Sequence, residues 1–283
     1  MADTGGDART LAELRGRIDT IDGEMHRLLM ERGAVIDALI AAKDTRRPGA
    51  AFRPGREADM MRRLAARHDD SLPLATVEHI WREIIGTFTH LQAPFDVAYD
   101  ASQARERMQD LTRFLFGFSV AIVACQGPEA VVSEVSEGGR LGVVPRFARA
   151  PWWRGLGGPG PCIMAVTPFL LVPGRPAGMP AFVISPPLAD PALPEVRVVA
   201  IDSDAVVVEP SAEVAVLEAA SDADGTSFLV AHTTGATARG IAERVAPAAR
   251  RVVDVGGFQL PVDARGERAD LAVLARQRAE TVS

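Results

Sequence analysis

The sequence predicts an α + α/β protein, with an all-helical N-terminal third followed by an α/β region. Two observations carry that expectation. Positions 11, 14, 18, 21, 25, 28, 32, 35, 39 and 42 hold Leu, Leu, Ile, Ile, Met, Leu, Arg, Val, Leu and Ala, a seam stepping by alternating threes and fours for over four heptads. After "QAPF" (92–95) the texture changes to short apolar runs with helix-like pieces between them. A third observation concerns chemistry: of 31 basic residues in 283, Lys43 alone is a lysine.

The first helix is expected to run along the seam and end near Asp44, where "TRRPGAAFRPG" (45–55) forms a Pro/Gly loop. A second helix is expected to start at Pro54–Gly55 and run through "READMMRRLAAR". A third follows Pro73 in "LATVEHIWREIIGTFTHLQ", with Val77, Trp81, Ile84, Phe88 and Leu91 on one face. One long helix and two shorter ones cannot enclose a core, so the seam predicts an intertwined dimer.

Beyond residue 95 the runs "FDVAY", "FSVAIVA", "LGVVP", "CIMAV", "FLLV", "AFVIS", "VRVVAI", "AVVVE", "SFLVA" and "RVVDV" read as strands. Residues 101–115, 211–220 and 236–246 read as helical. The expected domains are 8–92 (helical), 96–265 (α/β, with a sub-boundary near 190–195) and 266–283 (a charged tail, read as a loose helix).

Composition narrows the function classes. A net charge of −6 leaves no electrostatic footprint for nucleic acid. No apolar run approaches the ~18 residues of a membrane span, and the first residues lack a basic stretch followed by an apolar core. A cytoplasmic location is expected. Two cysteines, Cys125 and Cys162, are too few for a disulfide framework, and five scattered histidines lack metal-ligand spacing. Neither metal nor cofactor is expected.

Arg32 is a charge in an apolar seam. A snorkelling or register-fixing role is the bland explanation. Lys43 lies 11 residues further on, about 20° past three full turns and about 16 Å along the axis. The two cations therefore share a face and can close on one small anion. Arg15, 17 residues before Arg32, is about 25 Å away and rotated by about 100°. It can reach such a site only from an antiparallel partner.

Together, "LAELRGRIDTIDGEMHRLLMERGAVIDALIAAK", "FRPGREADMMRRL" and "IIGTFTHLQ" resemble the all-helical class of chorismate mutases over residues 8–92. The resemblance implies that Arg32 and the partner's Arg15 bind substrate carboxylates. It implies that Lys43 bonds the ether oxygen and a carboxylate, with Gln92 as second donor to that oxygen. It further implies that Arg56 assists and that Glu57 holds the ring hydroxyl. Arg53 and Phe88 depart from the family's pattern, where an aspartate and a small hydroxylated residue are usual. Taken singly, Arg15, Arg56, Glu57 and Gln92 would pass for ordinary surface residues; their joint order argues otherwise.

The residue types suit the reaction on their own terms. Chorismate is a dianion that rearranges intramolecularly to prephenate, with no proton transferred and no nucleophile. An enzyme can hold the compact conformer and stabilise negative charge on the ether oxygen as its bond breaks. Arginine forks match carboxylates, whereas a compact ammonium suits a single oxygen. Gln92 does not titrate, which implies activity nearly flat across neutral pH.

"GLGGPG" (155–160) satisfies G-x-G-x-x-G literally but follows "PWWR", contains Pro159 and leads into a strand-like run, so a loop is expected. "FDVAYDASQARERMQDLTRFLFGF" and "AVVSEVSEGGRLGVVP" are faintly similar to stretches of prephenate dehydratase. That family's Thr-Arg-Phe motif belongs after a "GVVP"-like stretch. Here the sole copy, Thr112-Arg113-Phe114, precedes it, and "GVVP" is followed by "RFARAPWW". A diverged, catalytically silent domain is expected, with a regulatory or partner-binding role. The leading expectation is a dimeric, cofactor-free chorismate mutase. The alternatives are a bifunctional mutase–dehydratase, a non-catalytic helical dimerisation module, and the related isochorismate pyruvate lyase.

Overall fold

The computed structural model describes residues 4–42, 52–69, 71–147, 149–188 and 193–280. They fall into two units, Met1–Arg46 and Arg47–Ser283, so α2 and α3 belong with the sheet that follows them.

The first unit is one unbroken helix, α1 (Thr4–Ala42). Its seam residues are open: exposure runs from 36% at Leu39 to 63% at Val35, with Leu11, Leu14, Ile18, Ile21, Met25 and Leu28 near half. An apolar stripe this long on one face of a helix has the character of an interaction surface.

In the second unit α2 (Pro54–Arg67) and α3 (Leu74–Gln92) occupy the spans expected of them. Pro54 sits in the first turn of α2 and Pro73 at the N-cap of α3, where a missing N–H costs nothing. α2 buries Ala58, Met61, Leu64 and Ala65 against Phe169, Leu170 and Val262. α3 differs from its expected face. It buries Leu74, Ala75, Glu78, Gly86 and Thr89, while Leu91 is 62% exposed.

Gly86 explains part of that choice. A Cβ there would lie 2.2 Å from the Phe116 carbonyl oxygen, at the end of α4 (Arg105–Phe116). The absent side chain lets α3 and α4 touch backbone to side. Gly86→Ala should lower stability by about 1–3 kcal/mol, because backbone rather than a pliable side chain must move. A denaturant midpoint lowered without a change in slope is the expected result.

The α/β body opens with β1 (Val97–Asp100), α4, β2 (Ile122–Cys125), α5 (Pro128–Gly138) and β3 (Leu141–Pro145). There follow a short 3-10 turn (Trp152–Gly155), β4 (Cys162–Thr167), β5 (Ala181–Ser185) and β6 (Val196–Asp202). The chain ends with β7 (Val214–Asp222), β8 (Gly225–His232), α6 (Ala238–Val245), β9 (Arg251–Phe258) and α7 (Leu271–Glu280). Among the described residues the nine strands share one mixed sheet, ordered β2-β1-β3-β5-β4-β9-β6-β8-β7. β2, β1 and β3 run parallel, joined by helical crossovers, as parallel neighbours require. The two halves meet at one pair, Ile163 with Gly256. Gly256 has φ +111°, and a Cβ there would lie 2.2 Å from the Ile163 oxygen, so the junction needs glycine.

Four further expectations are corrected. Residues 211–220, expected as helix, belong largely to strand β7. "AVVVE" (205–209) is not a strand but a loop with Val207 81% exposed. "FLLV" contributes only an isolated bridge, Leu170 with Val262. The C-terminal helix is not loose: Leu271 and Leu274 of α7 are buried in the main core. "GLGGPG" does form the turn leading into β4.

Among the described residues no helix is long and apolar enough to cross a membrane.

Candidate active site

The residues expected at the site divide between the two units. On α1, Arg15 is exposed and Arg32 half-buried. The helix is continuous through both, so their expected separation holds along the axis. Lys43 lies outside the described residues.

Arg56, Glu57 and Gln92 lie in the second unit. Arg56 is exposed in the first turn of α2 and borders a cleft with Arg62, Glu195 and Arg268. There Glu195 joins α2 to the body, accepting from Arg62, from Arg268 (2.7 Å) and from the Leu260 N–H (2.9 Å). Burial alone would raise the Glu195 carboxyl, but these three donors hold it below its ordinary range. Arg53 takes the N-cap position of α2 without a capping bond, since a guanidinium has no lone pair for a helix N–H.

Glu57 turns inward. It shares a small cavity of about 50 Å³ with Arg82, Phe52, Phe116, Thr167 and Phe169. Its Oε2 lies 3.3 Å from Arg82 Nη1. Burial pushes the carboxyl above its ordinary value, and the Arg82 guanidinium opposes the rise. Behind Arg82 sits Glu78, fully buried, with Oε1 3.5 Å from Arg82 Nε. Arg175 holds both Glu78 oxygens, at 2.9 and 3.0 Å.

Gln92 ends α3 with its amide donating to the Phe88 carbonyl at 3.1 Å. Gln92 does not line the Glu57 cavity, and its amide bonds Phe88 rather than Glu57. The second unit therefore does not by itself gather the expected donors around one point. Sequence reasoning missed Glu78, Arg82 and Arg175. The i, i+4 spacing of Glu78 and Arg82 is legible on α3, but Arg175 is 97 residues from Glu78.

The Thr112-Arg113-Phe114 motif is occupied structurally. Thr112 is buried and donates to Met108 O at 2.7 Å. Arg113 donates to Val120 O at 2.6 Å, and Phe114 stacks on His79 with centroids 4.8 Å apart.

A long open-seamed helix, two charged helices and a mixed-sheet α/β body define the class: a helical N-terminal part ahead of an α/β region. Residues 14–93 match the family described as chorismate mutase type II, which covers α1 from Leu14 together with α2 and α3. This stretch is thus similar to that family where its sequence resembles it. A curated relative, the bifunctional chorismate mutase/prephenate dehydratase of Neisseria gonorrhoeae, is 33% identical over 122 residues, 42% of this chain and 33% of the relative. The aligned stretch is longer than residues 14–93, and the chain spans about a third of that relative's length. No solved structure matches the chain.

Proposed function

We propose that this chain is a chorismate mutase, converting chorismate to prephenate by a cofactor-free [3,3] rearrangement in aromatic amino-acid biosynthesis. The family match over residues 14–93 carries the reading. The active form is a homodimer in which a second copy covers the α1 seam and brings its Arg15 to the other chain's site. Arg32 and the partner's Arg15 hold carboxylates. Lys43 and Gln92 stabilise the ether oxygen, Glu57 holds the ring hydroxyl and Arg56 assists. To reach even a 10⁶-fold acceleration these groups must supply roughly 8 kcal/mol. Fixed cations aimed at a developing oxyanion are the kind of source that can supply it.

Mixing two inactive variants tests the shared site. In a dimer of Arg15→Ala with Lys43→Ala, one site carries both defects and the other carries neither. Coexpression should restore roughly a quarter of wild-type turnover, from random assortment with one intact site per mixed dimer. No restoration by the mixture would sink the cross-subunit assignment.

The pH profile follows from the residue types. The Gln92 amide does not titrate. Glu57 acts as an acceptor, so turnover should fall on the acid side as its raised pKa is crossed and stay level through neutral pH. A steep loss as pH rises from about 6 to 8 contradicts the role given to Gln92.

The second half is proposed to be catalytically silent as a dehydratase, because its Thr-Arg-Phe residues are committed to packing and to backbone carbonyls. The expected product is prephenate, with phenylpyruvate appearing only on acid treatment.

A further inference from the structure

We propose that Arg82, Glu78 and Arg175 are positioning residues for Glu57: the α/β body fixes the Glu57 carboxylate through an alternating chain of four charges. The inference rests on the mutase reading for the role of Glu57, and on geometry for the rest.

The chain starts at a rigid end. Arg175 is 3% exposed, its guanidinium lies 4.3 Å over the Phe114 ring, and Nη1 donates to Pro176 O and Ala177 O. The opposition of fork to carboxylate is bidentate, which fixes orientation as well as distance. Glu78 is at 0% exposure, so its charge needs a counter-charge at hand. With both Glu78 oxygens taken by Arg175, Arg82 is left to face Glu57. Its Nη1 bonds Glu57 at 3.3 Å, while its Nε stands 3.5 Å from Glu78 without a hydrogen bond. Arg82 is the only cation among the described residues lining the Glu57 cavity; Thr167 and Gln259 are its other polar neighbours there.

Removing the Arg175 charge therefore does not act on Arg175's surroundings alone. A buried Glu78 left uncompensated draws Arg82 fully onto itself and releases Glu57. Removing the Glu78 charge as well takes away the competitor, and Arg82 returns to Glu57. Simple loss of packing predicts the opposite order, with the double variant at least as damaged as the single. The double variant also leaves no unpaired buried charge, so it is expected to fold.

The test follows the ¹³C signal of the Glu57 carboxyl against pH, assigned with Glu57→Gln, in wild type, Arg175→Gln and Arg175→Gln/Glu78→Gln. Arg175→Gln should raise the titration midpoint by about one unit as Arg82 leaves, and lower kcat/KM for chorismate about fivefold at the wild-type midpoint, approaching tenfold at lower pH. The double variant should return both toward wild type. An unmoved midpoint in Arg175→Gln, or a double variant no closer to wild type than the single, overturns the proposal. The titration needs no substrate. If wild type leaves chorismate untouched, the mutase reading fails while the charge chain is still decided by the midpoint.

Discussion

Lys43→Ala is expected to lower kcat for chorismate by on the order of 10³-fold, at the upper end of what one lost oxyanion donor costs. The expectation is large because Lys43 is proposed to do two things at once. It neutralises a carboxylate and meets the ether oxygen as charge develops there. A carboxylate contact is made in the ground state and in the transition state alike, so its loss alone would raise KM. The ether-oxygen contact strengthens only as the bond breaks, so its loss appears in kcat. Steady-state kinetics on the purified variant separate the two. Lys43→Arg should recover the carboxylate part better than the ether part, since a planar fork does not converge on a single oxygen as an ammonium does. Wild-type kcat in Lys43→Ala would remove the lysine from the mechanism.

Arg146→Ala should cost about 3–5 kcal/mol, the range for breaking a buried ion pair by deleting one partner. Arg146 is wholly buried at the end of β3, and its Nε lies 3.1 Å from Glu218 of β7, itself 2% exposed. The guanidinium also donates to Leu217 O and to Leu274 O and Gln277 of α7, tying the last helix to the sheet. It lies 4.9 Å over the Phe147 ring. Deleting it leaves a buried carboxylate and frees α7 at the same stroke. Urea unfolding should show a sharply lowered midpoint, a large fraction of the roughly 5–15 kcal/mol that holds a domain folded. Arg146→Met with Glu218→Gln should recover part of the loss. No buried charge then remains, and the amide oxygen can still accept the Phe147 N–H that Glu218 Oε2 now takes at 2.8 Å. A midpoint unchanged in Arg146→Ala would contradict the account of how α7 is held.

How much was legible varied with how local its cause was. α2 and α3 were readable to the residue because Pro54 and Pro73 fix their starts. α1 was readable because its seam keeps its spacing for over four heptads, with Arg32 the one charge in it. β7 was misread for a physical reason. A bulge between Val216 and Glu218 breaks the two-residue alternation, and the buried positions then recur in a helix-like rhythm. "AVVVE" failed the other way: its β-branched run has strand propensity, but no neighbouring strand pairs with it. Of the candidate site, the residue types and their order along the chain were legible. The partner of Glu57 was not, because Arg82 is set by Glu78, and Glu78 by Arg175 from a distant loop.

The most direct test of the central claim is the incubation of the purified protein with chorismate, following loss of substrate and treating the product with acid. The account predicts that chorismate is consumed and that phenylpyruvate appears only after acid, marking the product as prephenate. Chorismate left intact would contradict it.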